Sequence, residues 1–114
     1  MGKFIARDLG KFTELDDFDQ GCIGKPQDYD LNVSFMGETA DEVIGKIADF
    51  LGLDPKDADR NVCDEIGRVE FGRTENADGE EMSKSEIAQW KRGKIKAWYA
   101  VYTAYIEELT PVKL

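Results

Sequence analysis

The sequence contains no histidine, and its two cysteines, Cys22 and Cys63, stand 41 positions apart without a CxxC. A structural zinc site needs about four nitrogen or sulfur ligands at close spacing, so that chemistry is excluded. Losing histidine also removes the commonest general base and the usual partner of a serine or cysteine nucleophile. Carboxylate or lysine chemistry remains open, yet the balance moves from catalysis toward binding, with no cofactor expected. No apolar run approaches the roughly 20 residues that cross a bilayer. The opening MGKFIARDLGKF lacks the apolar core of a secretory signal, and Ala6 stands where a myristoylation signal has Ser or Thr. These absences put the expected location in a cytoplasm, most simply a bacterial one. Internal repeats, low-complexity tracts and Pro/Gly/Ser linkers are missing too, so one domain over 1–114 is expected.

Negative charge is what the chain has in excess. There are 24 acidic and 15 basic residues, a net charge of −9. Residues 1–82 carry 21 acidic and 9 basic groups, whereas residues 83–114 carry 3 acidic and 6 basic ones. Such a body repels nucleic acid and attracts basic protein surfaces, while the basic end offers a second copy a docking segment. A homodimer is one expected arrangement.

The densest acidity lies in FTELDDFDQGCIGKPQDYD, residues 12–30, where Glu14, Asp16, Asp17, Asp19, Asp28 and Asp30 surround a single Lys25. Its GCIGK is not a phosphate loop. Asp19 stands where the first glycine belongs, Pro26 replaces the Ser or Thr that binds magnesium, and the carboxylates repel phosphate. Calcium fares no better in DADRNVCDEIGR: Asp57, Asp59 and Asn61 suit an EF-hand, but Val62 and Arg68 occupy the Gly and Glu positions. With Gly21, Gly24 and Pro26 breaking any period, residues 16–28 read as an exposed acidic loop.

Elsewhere the periodicity is clearer. KFIARD and KFTEL read as two short strands of a hairpin, and YDLNVSF alternates Tyr29, Leu31, Val33 and Phe35 against polar neighbours. A helix follows, opened by Thr39 with Glu42 as a capping box, striped by Ala40, Val43, Ile44, Ile47 and Leu51, and closed by Gly52. Asp54 and Pro55 start a second helix ending at Gly67, seamed by Ala58, Val62 and Ile66. RVEFGRT reads as a strand and ENADGEE as a polar turn. Ser83 with Glu86 caps a third helix that the spacing of Ile95, Trp98, Val101, Tyr102, Tyr105 and Leu109 extends to Pro111, unless it breaks near Gly93. The element order β-β-β-α-α-β-α predicts an α+β fold: a small antiparallel sheet of about four strands with a long, aromatic-rich C-terminal helix on one face. Trp98 and Tyr105 are the expected core aromatics.

MSKSEIAQWKRGKIKA resembles the recognition helix of phage Cro and repressor type helix-turn-helix proteins, with a Ser-rich start, an Ile, a Trp and a basic exit. The resemblance implies Ser83, Ser85 and Gln89 toward bases and Lys91, Arg92 and Lys94 toward phosphates. It covers 16 residues and does not include a preceding helix.

These observations give a ranked expectation. First comes a small, acidic, non-enzymatic binding or inhibitor protein that blocks a basic nucleic-acid-binding surface of a larger protein. Glu14, Asp16, Asp17, Asp19, Asp28 and Asp30 would carry its charge, with Trp90, Lys91 and Arg92 as a second contact. Phage-encoded anti-restriction and anti-CRISPR proteins are similar in size and charge, as a class. The alternatives are nucleic-acid binding through the basic helix start at 83–96, and a small-molecule-binding domain in which Cys22 is reactive.

Overall fold

The computed structural model describes residues 3–17 and 21–109; the side chains of residues 16, 17, 21–28 and 63 lie outside that description. Among the described residues seven strands and two helices follow one another. They are β1 (Phe4–Ala6), β2 (Gly10–Asp17), β3 (Gly21–Asp30), β4 (Phe35–Gly37), α1 (Ala40–Leu51), β5 (Asp59–Arg60), β6 (Arg68–Glu75), α2 (Lys84–Lys91) and β7 (Ala97–Glu108). The strands belong to a seven-stranded sheet with the order β3-β2-β7-β1-β4, in which β6 pairs with β5 and β7. The expected four-stranded sheet under a long C-terminal helix is therefore wrong. The helices have 12 and 8 residues, and the segment expected to be helical through Leu109 is the 12-residue strand β7.

The chain divides into two compact units. The first comprises Met1–Gly10, Asp30–Phe71 and Tyr102–Leu114; the second comprises Lys11–Tyr29 and Gly72–Val101. Strands β6 and β7 each contribute to both.

In the first unit β1 is antiparallel to β4, with Phe4 opposite Gly37, and antiparallel to β7, with Phe4 opposite Glu108. Helix α1 packs against β1 and β4. It forms for the reasons legible in its sequence: the Thr39 hydroxyl accepts from the Glu42 N–H at 3.1 Å, and Gly52 closes the last turn at φ 71°. The Glu42 carboxylate reaches back one residue further than a capping box requires, accepting from the Glu38 N–H at 2.8 Å. Val43, Ile44, Ile47, Ala48 and Leu51 are buried, joined in this unit's core by Ala6, Leu9, Val69, Phe71, Tyr102 and Ala104.

Two expected elements of this unit are corrected. The alternation at 29–35 survives as burial, Leu31, Val33 and Phe35 being less exposed than Asn32 and Ser34, but it is not one strand. β3 ends at Asp30, and Asn32 turns left-handed at φ 54° before β4 begins. The helix expected over 54–67 is reduced to two short 3-10 turns, Pro55–Asp57 and Val62–Asp64, around β5. Asp54 does cap, accepting from the Lys56 N–H at 2.9 Å, but three widely spaced apolar residues bury too little to propagate a helix. Asp59 and Arg60 pair with Glu70 and Val69 instead.

In the second unit the described part of the expected acidic loop, residues 16, 17 and 21–28, is strand: β2 runs to Asp17 and β3 starts at Gly21, the two strands are neighbours, and residues 18–20 lie outside the described residues. β1 and β2 do not pair with each other, so the expected hairpin is absent. β6 ends here in a tight turn, Asn76 N–H to Glu80 carbonyl at 2.8 Å and Gly79 N–H to Asn76 carbonyl at 3.0 Å. α2 carries a complete capping box between Ser83 and Glu86, and the chain leaves it through Gly93 at φ 71°. No helix among the described residues is long and apolar enough to cross a membrane.

Candidate functional site

The first unit contains a cavity of about 330 Å³. Its floor is the buried pair Ile44 and Val69, its walls are Phe4, Ala40 and Ile106, and Ile66 stands at its mouth. Four elements position this lining. The apolar stripe of α1 supplies Ala40 and Ile44, β1 and β7 supply Phe4 and Ile106, and β6 supplies Val69. Arg60, Asn61 and Glu108 are its polar members. Arg60 forms an ion pair with Asp41 on α1. The Asn61 side-chain oxygen accepts from the Gly67 N–H at 3.2 Å within the same unit.

The loop that carries Ile66 is built from left-handed positions. Asn61, Asp64 and Gly67 have φ of 53°, 60° and 87°, conformations that Asn, Asp and Gly tolerate best. Backbone bonds from Asn61 N–H to the Arg68 carbonyl (2.7 Å) and from Arg68 N–H to the Glu65 carbonyl (3.1 Å) close it. Beyond the loop, Arg68 lies over the Tyr105 ring, 5.9 Å from its centre, and pairs with Glu65 and Glu70 at 3.2 and 2.9 Å. The Tyr105 hydroxyl donates to Glu65 at 3.1 Å; that bond, aided by partial desolvation, holds its pKa above the ordinary phenol value.

Asp8 and Asp30 form a hydrogen-bonded carboxyl pair in the same unit. The bond from Asp30 lowers the Asp8 pKa, and the bond to Asp8 raises that of Asp30. The Leu9 N–H adds a donor to Asp8 at 2.8 Å.

The second unit holds a buried ionic cluster. Glu75 is 1% exposed, and Lys11 and Arg73 bracket its carboxylate at 2.7 and 2.6 Å. Arg73 also donates to the Gly79 carbonyl at 3.2 Å, which ties the cluster to the turn after β6. One step on, the Asn76 amide donates to Glu86 at 3.1 Å. Donation from the Ser83 N–H, then from Asn76, lowers the Glu86 pKa.

Of the residues singled out in the sequence, the acidic ones that are described fall on the neighbouring strands β2 and β3, and the second group lies at the end of α2. Glu14, half-buried, shares β2 with Asp16 and Asp17; Asp28 and Asp30 sit on β3, Asp30 exposed; Asp19 lies outside the described residues. Trp90 is half-buried at the end of α2, and Lys91 and Arg92 are exposed. The helix-turn-helix expectation fails here, because β6 and a turn precede α2 where a first helix is needed. Ser83 and Ser85 are occupied in accepting from the Glu86 N–H and the Gln89 amide. Tyr105, expected in the core, is 52% exposed, and Tyr102 takes that place. The side chains of Cys22 and Cys63 are outside the described set. Among the described residues no group of three or more His, Cys, Asp or Glu is placed to hold a metal ion.

The apolar cavity was not foreseen, since its lining comes from separate stretches of chain. Ala40 and Ile44 in the α1 stripe, Ile66 in the expected seam and Val69 in a strand each carried an apolar signal, but nothing local joined them. Fold and cavity together define an α+β chain whose first unit has an open, largely apolar cavity. No protein-family model, curated protein or solved structure matches the chain.

Proposed function

We propose that this protein works by binding, as an acidic, non-enzymatic inhibitor that covers a basic nucleic-acid-binding surface of a larger protein. The observation that carries this reading is where the charge sits. The first unit has 14 acidic and 7 basic residues, and 12 of the 14 carboxylates are exposed. Asp54, Asp57, Asp59, Asp64 and Glu65 follow one another closely there, broken by Lys56 and by Arg60, which Asp41 engages. Exposed like charges repel at short range, and a Lys/Arg-rich partner relieves that repulsion and associates faster.

The experiment is retention of partners from nuclease-treated bacterial lysate at about 0.15 M salt. A nucleic-acid-binding protein that DNA or RNA displaces is the expected product. Retention that survives Asp→Asn replacement at residues 54, 57, 59 and 64 sinks the reading.

A second reading, nucleic-acid binding by the second unit, is favoured by Lys91, Arg92, Lys94 and Lys96, all exposed about the Gly93 turn. A salt-sensitive mobility shift lost on charge reversal at 91, 92 and 94 supports it.

A further inference from the structure

Ile66 is 95% exposed, far more than the other exposed large apolar residues, which lie between 37% and 53%. A lone exposed isoleucine needs no explanation. This one lines a largely apolar cavity together with Phe4, Ala40, Ile44, Val69 and Ile106, so that the apolar lining reaches solvent at its side chain. The loop that holds it there spends three left-handed residues in seven positions and is closed by its own backbone bonds.

The polar members of the cavity narrow the occupant. A small polar ligand is oriented by a few convergent, uncommitted donors and acceptors. Here Arg60 is taken by Asp41, and the Asn61 side-chain oxygen by the Gly67 N–H. What remains charged is negative: Glu108 on the lining, Asp64 two positions before Ile66, and Asp59 immediately before Arg60, all exposed, whereas Glu65 is engaged by Arg68 and Tyr105. An apolar interior with an anionic border is the complement of an apolar side chain between lysines or arginines. The unit's own charge, 14 acidic residues against 7 basic ones, disfavours the same face of a second copy.

We propose that this cavity is an anchor pocket, taking one apolar side chain of a partner polypeptide at a site flanked by Lys or Arg. The inference rests on the acidic-inhibitor reading and deepens it, since it assigns affinity to one buried side chain and speed and selectivity to the charged border.

The test uses the full chain and three labelled heptapeptides read by fluorescence anisotropy. The first is Lys-Arg-Lys-Ile-Lys-Arg-Lys, the second has Ser at its centre, and the third keeps Ile but replaces the cations with Gln. The Ile-centred basic peptide is expected to bind about tenfold or more tighter than its Ser counterpart, the worth of burying one aliphatic side chain. Ala40→Leu fills the cavity and Ile66→Ser removes its lip. Both should abolish that preference while leaving the weak, salt-sensitive binding of the Ser peptide intact. Because Ile66 is a surface residue, its variant keeps the test usable if Ala40→Leu disturbs folding. Equal binding of the Ile and Ser peptides overturns the pocket and leaves the acidic surface standing. No binding of any basic peptide at low salt overturns both. Equal binding of the Gln-flanked peptide makes the cavity a site for neutral apolar ligands and overturns the proposed partner chemistry. Self-association abolished by Ala40→Leu assigns the pocket to a second copy and overturns it likewise.

Discussion

The Glu75 carboxylate and the Lys11 ammonium meet at 2.7 Å, with side chains only 2% and 16% exposed. Charges withdrawn from water so far are tolerable only when paired, and Arg73 supplies the second cation at 2.6 Å. This cluster is the most demanding interaction in the second unit, whose other buried described residues are small or singly placed.

Replacing Glu75 with alanine is expected to destabilise the protein by about 3–5 kcal/mol, because two partly buried cations lose their counter-charge. Glu81→Ala, at the exposed position opposite it in the turn, is expected to change stability by less than about 0.5 kcal/mol. Urea midpoints for the two variants check this, and equal shifts would refute a stabilising role for the cluster.

Gly67 is expected to resist substitution. A Cβ there would stand 2.5 Å from the Ile106 carbonyl oxygen, at a backbone φ of 87° that side chains disfavour. Gly67→Ala should cost about 1–3 kcal/mol. Gly45→Ala, on α1 with open space around it, should be neutral or mildly stabilising. Thermal unfolding of both variants decides the matter; a tolerated alanine at 67 would mean the Ile66 loop is not fixed as described.

The Asp8–Asp30 pair predicts a pH signature. Asp8 titrates below the ordinary value of 3.8 and so stabilises the fold above that pH, a contribution lost as pH falls through its folded pKa. Asp30 titrates above 3.8, so its protonated form is the stabilising one, and that contribution declines as pH rises through its folded pKa. The pair is therefore best placed with one shared proton. Carbon-13 NMR of the side-chain carboxyls should resolve two separated titrations, and Asp30→Ala should return Asp8 toward 3.8. Coincident titrations in the unmodified protein would dismiss the shared proton.

What could be read from the sequence was whatever neighbouring residues decide. Thr39, Ser83 with Glu86, Gly52 and Gly93 act within a turn of themselves and do in the structure what their chemistry implies, while Glu42 completes its cap on the Glu38 N–H instead of that of Thr39. β7 was misread because Trp98, Val101, Tyr102 and Tyr105 are spaced by threes and fours, which suits one face of a helix. The same stretch also holds Trp98, Tyr99, Val101, Tyr102, Thr103, Tyr105 and Ile106, the branched and aromatic types that favour a pleated surface. Its position between other strands decides for the sheet, and that pairing is invisible locally. The segment with Gly21, Gly24 and Pro26 is a strand for a related reason: β2 as a neighbour overrides weak propensity. Ile66 looked like the last residue of an apolar seam and is instead almost fully solvated, because Asn61 and Asp64 turn the chain left-handed before it.

The pairing of Phe4 with Glu108 has a consequence for how this protein is made. Contacts between residues so far apart in sequence raise the contact order, and contacts of that kind close slowly. On a ribosome adding about 5–20 residues per second, β1 is finished seconds before β7 exists. Through that interval the earliest strand waits without its latest partner, and the net negative charge of the nascent chain is what keeps neighbouring copies apart.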